Sequence, residues 1–214
     1  MDILLDGLPS TVDINGRPVR INTDYRAGIR FESIINDCRK DNRQKLEEAL
    51  GLYFDMSGLY ADDIEPAVDQ LLWFYRCGKE AAACGDNDPD GARNAERSFD
   101  FHHDAGYVYA AFIQAYGIDL IHENIHWWQF RALFDSLPDD VQLVRIIGYR
   151  IAEVPAKATA EERQRIEKLK RAYALPLDAD QAQMQTDLEA ILMNGGNPAA
   201  LLEGGAANGI RRNT

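Results

Sequence analysis

The sequence predicts a mainly α-helical domain with a short N-terminal β-hairpin and a flexible C-terminal tail. The hairpin is indicated by Val12-Asp13-Ile14 and Val19-Arg20-Ile21, which alternate apolar and polar residues around the turn pair Asn15-Gly16. The helices are indicated by apolar residues that repeat at helical spacing through most of the chain after residue 24. The tail is indicated by residues 194–214, whose Gly, Ala and Asn content cannot form a core.

The composition is typical of a soluble globular protein. The chain has 214 residues, of which 46% are hydrophobic and 27% charged, so it can bury a core as one domain or two small ones. No stretch approaches the roughly 20 apolar residues of a membrane-spanning helix. The start Met1-Asp2-Ile3 carries an acid and no basic region, which argues against a secretory signal. Three cysteines without metal-ligand spacing suit a reducing cytoplasm.

The net charge is −12, and most of it lies in the middle of the chain. Residues 46–104 contain four basic and fourteen acidic side chains. Nucleic-acid binding needs a concentrated basic surface, and the sequence indicates none, so we expect no nucleic-acid partner. The acidic stretch suits either a solvated face or electrostatic attraction to a basic partner.

Three helices are predicted in the first half. Asp24 is placed to cap the first, and the second covers residues 43–54. The third begins near Asp62 or Asp63. Residues 85–91 contain three aspartates, one proline and two glycines, which predicts an acidic internal loop.

The second half predicts four helices, over residues 101–116, 127–137, 141–151 and 160–174. Gly117 is positioned to end the first of these, and Ile146-Ile147 leaves a strand open as an alternative in the third. The expected core-facing stripe of the first is Tyr109, Phe112, Ile113 and Tyr116. The fourth has a narrow apolar stripe, Ile166, Leu169 and Tyr173, which either packs on the body or binds a partner.

We assign residues 1–176 to one domain, which contains the hairpin at 10–22 and the acidic loop. A possible extra helix covers residues 177–193, and residues 194–214 form the flexible tail. We find no internal repeat.

His122-Glu123-Asn124-Ile125-His126 matches the pattern of zinc metallopeptidases, in which two histidines on one helical face bind zinc and the glutamate activates water. A catalytic zinc needs a third protein ligand, yet no histidine follows His126. If Gly117 ends a helix, His122 lies in a connector and the two imidazoles need not share a face. The bulky Trp127-Trp128 pair also crowds the space for a substrate. We therefore predict that the motif binds no metal.

The remaining chemical candidates are weaker. All four histidines lie between residues 102 and 126 among several carboxylates, a set that suits a structural metal site. Helix capping by Asp100 and Asp104 explains those carboxylates more simply. The sequence has no nucleophile elbow, no cysteine with a neighbouring histidine and no phosphate-binding loop. We predict no catalytic, cofactor-binding or metal-binding residue.

Trp127 and Trp128 are adjacent, and on one helix adjacent side chains point about 100° apart. One indole is therefore expected in the core. The other either reaches a second layer or marks a contact surface.

Several separated segments resemble the bacteriophage family named for gene product fifteen, which is encoded in the tail operons of long-tailed phages. The segments are Ile21-Asn22-Thr23-Asp24-Tyr25-Arg26, Tyr116-Gly117-Ile118-Asp119-Leu120, His126-Trp127-Trp128-Gln129-Phe130, Ile146-Ile147-Gly148-Tyr149-Arg150 and Leu169-Lys170-Arg171-Ala172-Tyr173. They occur in the same order over about residues 5 to 176. In the family pattern only the second histidine of the zinc-like motif recurs, so the match to metallopeptidases is a local accident.

The resemblance implies a non-enzymatic role in tail assembly in the host cytoplasm. The expected function is that of a chaperone that binds the phage tape-measure protein and works with other tail-assembly proteins. The alternatives are a structural component retained in the tail and, with less support, a zinc hydrolase using His122 and His126. Our candidate partner-binding residues are Trp128, Tyr149 and Arg150.

Overall fold

The computed structural model describes residues 3–79 and 98–176. The predicted acidic loop at 85–91, the possible helix at 177–193 and the tail at 194–214 lie outside these residues. Residues Met1–Tyr173 form one compact unit, and Ala174–Thr214 belong to a second, of which three residues are described. Every helix and strand of the described residues belongs to the first unit.

The fold is mainly α-helical with an N-terminal β-hairpin, as the sequence predicts. The strands are β1 (Thr11–Ile14) and β2 (Arg17–Arg20), and the helices are α1 (Tyr25–Asn36), α2 (Asn42–Tyr53), α3 (Ile64–Tyr75), α4 (Ala105–Tyr116), α5 (Trp127–Asp135), α6 (Gln142–Ile151) and α7 (Ala160–Tyr173). Two single turns of 3₁₀ helix, Met56–Gly58 and Ala61–Asp63, lead into α3. Across the described residues, none of the helices has the length and apolar character needed to cross a membrane.

The hairpin is antiparallel and its turn has the predicted geometry. Asn15 and Gly16 both have positive φ angles, 53° and 76°, as a type I′ turn requires. The Asn15 amide donates to the buried Asp63 carboxylate at 2.8 Å. Arg17 forms an ion pair with the same carboxylate. These contacts attach the hairpin to the start of α3.

Helix α1 begins where the sequence predicts, because the Asp24 carboxylate accepts from the backbone N–H of Arg26 at 2.8 Å. The Arg26 guanidinium also donates to the carbonyl of Leu120 at 2.8 Å. The backbone N–H of Tyr25 donates to the carbonyl of Ile125 at 3.0 Å. The first turn of α1 therefore holds the connector that leads into α5.

Helix α5 carries the aromatic centre of the core. Its Trp127, Phe130 and Phe134 side chains are buried. The Phe130 ring stacks on Phe112 of α4 and on Tyr25 of α1, with ring centroids 5.0 Å and 4.9 Å away. Helices α1, α4 and α5 thus share one core.

Helix α4 begins later than predicted, at Ala105 rather than near residue 101. The Asp100 carboxylate accepts from the backbone N–H groups of His102 and His103, each at 2.8 Å, and this bonding forms a separate turn before the helix. Gly117 ends α4 in the left-handed conformation, as predicted.

The buried face of α4 also differs from the predicted stripe. Ile113 is 44% exposed, whereas Val108 and Ala111 are buried beside Phe112. Tyrosine hydroxyls need polar partners, which keeps these residues at the edge of the core. The Tyr116 hydroxyl, for example, donates to the carbonyl of Leu133 at 2.8 Å. Tyr109 and Tyr116 are partly buried against the core, so Ile113 is the member of the predicted stripe that is exposed.

Helices α6 and α7 form the last layer. Residues 142–151 are helical, so the strand considered at Ile146-Ile147 is wrong. Leu143 and Ile146 of α6 are fully buried in the body. Helix α7 packs against α6 and contains no buried residue, as its narrow apolar stripe indicates.

Candidate functional site

The zinc-like motif does not lie on one helix. Helix α5 begins at Trp127, directly after the motif ends. His122 lies in the preceding turn, where its Nδ1 is 2.9 Å from the Asp119 carboxylate. The two imidazoles therefore do not occupy successive turns of a helix, which is the geometry that metallopeptidases of this pattern use.

His126 has a structural role that engages both ring nitrogens. Its Nδ1 accepts from the backbone N–H of Trp128 at 3.0 Å and caps α5. Because Nδ1 accepts, Nε2 carries the proton of the neutral ring and donates to the carbonyl of Pro9 at 2.9 Å. Burial lowers the pKa of His126 below its ordinary value, and the bond to Pro9 only partly opposes this. The neutral ring thus joins the N-terminal segment to α5.

The histidine cluster of the sequence is dispersed in space. His102 contacts the Ser33 hydroxyl of α1 at 2.6 Å, whereas His126 caps α5. Within residues 3–79 and 98–176, no group of three His, Cys, Asp or Glu side chains is placed to hold a metal ion.

The tryptophan pair caps the end of α3. Trp127 and Trp128 are both buried, 1% and 3% exposed. Their indole N–H groups donate to consecutive carbonyls, those of Tyr75 and Phe74, each at 2.8 Å. The last carbonyls of a helix lack partners within the helix, and the indoles supply them. Trp128 is therefore buried in this structure, which agrees with the alternative of a second layer and not with that of a contact surface.

Arg150 is also buried, at 6% exposure, and forms a two-pronged ion pair with Asp104 over 2.7 and 2.8 Å. It donates further to the carbonyls of Ser98 and Tyr173, at 3.1 and 2.6 Å. Burial opposes the charged form of Asp104, but the bonds from Arg150, the bond from the backbone N–H of Asp100 and the nearby positive charges together hold the pKa of the carboxyl below its ordinary value. Asp104 therefore pairs with Arg150 rather than capping α4, and Arg150 is not a surface contact.

Tyr149, the third candidate residue, lies at the surface. It is half-buried in a groove of about 530 Å³ between α6 and α7. The groove is lined mainly by apolar atoms, from Tyr149, Ala152, Pro155, Ala158, Ile166 and Leu169, together with Lys157, Glu162 and Arg165. The volume of the groove falls within the range of ligand sites in proteins.

Two basic side chains of the groove were not among the predicted site residues. Lys157 and Arg165 are exposed at its rim, and neither forms an ion pair in the part of the chain that the structure describes. The signal available in the sequence was the excess of basic residues around the stripe of α7. The location of Lys157 depends on how the connector between α6 and α7 folds back, and helical spacing does not determine that path.

Comparison with known proteins agrees with the segments noted in the sequence. The model of the family described as Bacteriophage Gp15 protein matches residues 4–175, which is most of the chain. Neither the curated proteins nor the solved structures contain a significant match. The match covers both strands and all seven helices of the described residues. The chain therefore belongs to the bacteriophage Gp15 protein family.

Proposed function

We propose that this phage protein is a non-enzymatic tail-assembly chaperone that binds the tape-measure protein in the host cytoplasm. Family membership supports a phage role, and the family resemblance implies a place in the tail operon. A tape-measure protein is a very long helix with exposed apolar stripes. Such a helix needs cover until the tail-tube subunits surround it.

The observation that carries the proposal is the groove between α6 and α7. A helix that binds in a groove inserts apolar side chains spaced three and four residues apart. Tyr149, Ile166 and Leu169 offer an apolar floor and wall for such side chains at the surface of the fold.

Both ends of α7 are fixed, which gives the groove a defined shape. At its start, the Glu162 carboxylate accepts from the Thr159 backbone N–H at 2.8 Å, and the Glu162 N–H donates to the Thr159 hydroxyl at 3.2 Å. At its end, Arg150 holds the carbonyl of Tyr173. A preformed groove lowers the entropic cost of binding a partner.

Catalysis has less support than binding. The two histidines of the zinc-like motif serve a turn and a helix cap, and both ring nitrogens of His126 have backbone partners. A hydrolase that used this motif would have to break the cap of α5. Zinc analysis of protein purified without a histidine tag tests this, and we expect far less than one equivalent.

Deletion of the gene, combined with mass spectrometry of virions, separates the chaperone from its main alternative. A chaperone leaves before the tail is complete, so wild-type virions should lack this protein, and the deletion should prevent normal tails. Wild-type virions that contain it in stoichiometric amounts would favour the alternative of a structural tail component. Normal tails in the deletion phage would contradict both roles.

A further inference from the structure

We infer that the groove between α6 and α7 selects amphipathic helices whose apolar stripe is flanked by acidic side chains. This inference rests on the proposed function, because it names the kind of tape-measure segment that the chaperone binds. It concerns one surface and one class of partner, an acidic helical segment of another protein.

The first support is the local charge. Residues 141–176 contain eight basic and four acidic side chains. The charge of Arg150 is neutralised by Asp104, so the other seven basic side chains leave a net charge of +3 in a chain whose net charge is −12. The groove therefore lies in a basic region of an acidic protein. Such a region attracts acidic segments and disfavours basic ones.

The second support is the position of the unpaired charges. Lys157 and Arg165 line the groove, and their ammonium and guanidinium groups have no carboxylate partner among the described residues. Arg145 is exposed on α6, one turn before Tyr149. Glu162, the acidic side chain of the lining, already accepts from Thr159. The groove thus offers more free cations than free carboxylates to a ligand.

The third support is the arrangement of apolar and basic groups. The apolar lining lies between α6 and α7, while Lys157 and Arg165 stand at its rim. A bound helix would place its apolar stripe in the groove and its flanking side chains beside this rim. Carboxylates at the flanks gain partners there, whereas lysines at the flanks meet like charges.

The test uses two fluorescent model helices of about 18 residues, or about five turns, with the same leucine stripe. One has glutamates along both flanks and the other has lysines. Binding to the full chain is measured by fluorescence anisotropy. We expect the glutamate helix to bind about tenfold more tightly than the lysine helix. The double variant Lys157→Glu/Arg165→Glu should reverse this preference.

The matched control is Arg20→Glu/Arg30→Glu, which makes the same charge change at exposed positions outside the groove lining and outside residues 141–176. It should preserve the preference for the glutamate helix. Equal binding of the two helices by the wild type, or the same loss in the control and the groove variant, would overturn the inference. The inference would also be overturned if Lys157→Glu/Arg165→Glu still preferred the glutamate helix as the wild type does.

A third variant, Ala158→Trp, fills the groove with an indole and should weaken binding of the glutamate helix. Failure of this variant to fold leaves the charge variants as the test. The inference is also wrong if the wild type self-associates, Ala158→Trp is monomeric and neither model helix binds. The occupant of the groove is then a second copy of the chain. If the full tape-measure protein co-purifies equally with wild type and with Lys157→Glu/Arg165→Glu, the groove is wrong while the chaperone role stands. If it co-purifies with neither, the chaperone role itself fails.

Discussion

At the scale of single residues, the core depends on close approaches that only particular side chains permit. Gly28 of α1 lies against the indole of Trp127, and a Cβ at this position would be 2.2 Å from an atom of the ring. The indole of Trp127 is held in position, because its N–H donates to the carbonyl of Tyr75. Glycine is thus required here by packing between two helices, not by a special backbone angle.

Gly28→Ala should lower the free energy of unfolding by about 1–3 kcal/mol, because the added methyl overpacks the core. The control is Gly51→Ala in α2, where an added Cβ has nothing within 4 Å. That change should be neutral or stabilise by up to about 1 kcal/mol, since alanine favours helix. Urea denaturation measures both. Equal stability of the two variants would show that Gly28 and Trp127 do not constrain each other.

His126 predicts a dependence of stability on pH. Burial lowers its pKa in the folded protein below the ordinary value of 6.5, so the unfolded chain binds the proton more readily. The contribution of the neutral ring is therefore fully present above about pH 6.5 and is lost as the pH falls towards the folded pKa. Loss of a helix cap costs about 1 kcal/mol, or roughly 2–4 °C in Tm at this size.

The measurement is Tm between pH 7.5 and 5.5 for the wild type, His126→Asn and His103→Asn. Asparagine can cap α5 without titrating, so His126→Asn should flatten the dependence on pH. His103 is exposed, and its replacement should leave that dependence in place. A wild-type Tm that is constant over this range would contradict the proposed state of His126.

At the scale of helices and strands, the sequence predicts the architecture well wherever a local signal decides it. The Asn15-Gly16 turn, the Asp24 cap and the Gly117 stop all act within a few residues, and all three are confirmed. The inward face of α4 was predicted in part, because Phe112 is buried and Tyr109 and Tyr116 pack against the core, whereas Ile113 is exposed. Val108 and Ala111 are buried beside Phe112 instead, and these contacts involve other helices, which local spacing does not specify.

Among the polar contacts between helices, the ion pair that joins the start of α4 to α6 should lower the free energy of unfolding most when it is broken. Arg150→Met leaves the Asp104 carboxylate buried without its charged partner. We therefore expect the free energy of unfolding, measured by urea denaturation, to fall by about 3–5 kcal/mol. Asp104→Leu/Arg150→Met should lose much less than the two single changes together, because it leaves no unpaired charge.

The matched surface change is Arg43→Met, which breaks an exposed pair with Glu47 on α2. It should change the free energy of unfolding far less than Arg150→Met, because the exposed pair is screened by solvent. If Arg150→Met lowered the free energy of unfolding no more than Arg43→Met, the buried ion pair would not be the contact that holds the start of α4, α6 and the end of α7 together.

At the scale of the whole molecule, the candidate site was only partly predictable. The apolar stripe of α7 follows from helical spacing. Tyr149 was proposed as a partner contact from a segment that resembles the family, and the structure places it in the groove. The sequence also proposed Trp128 and Arg150, which the structure buries. Burial of Trp128 depends on the end of α3, and burial of Arg150 depends on Asp104, 46 residues away. Such long-range partners cannot be read from local patterns.

The most direct test of the central claim is co-expression of this protein with the tape-measure protein of the same phage, followed by affinity purification through a tag on the tape-measure protein. We predict that the tape-measure protein becomes soluble and that this chain co-purifies with it. Gly51→Ala, which leaves the groove intact, should behave as the wild type. A tape-measure protein that stays insoluble, or is soluble without this chain bound to it, would contradict the chaperone role.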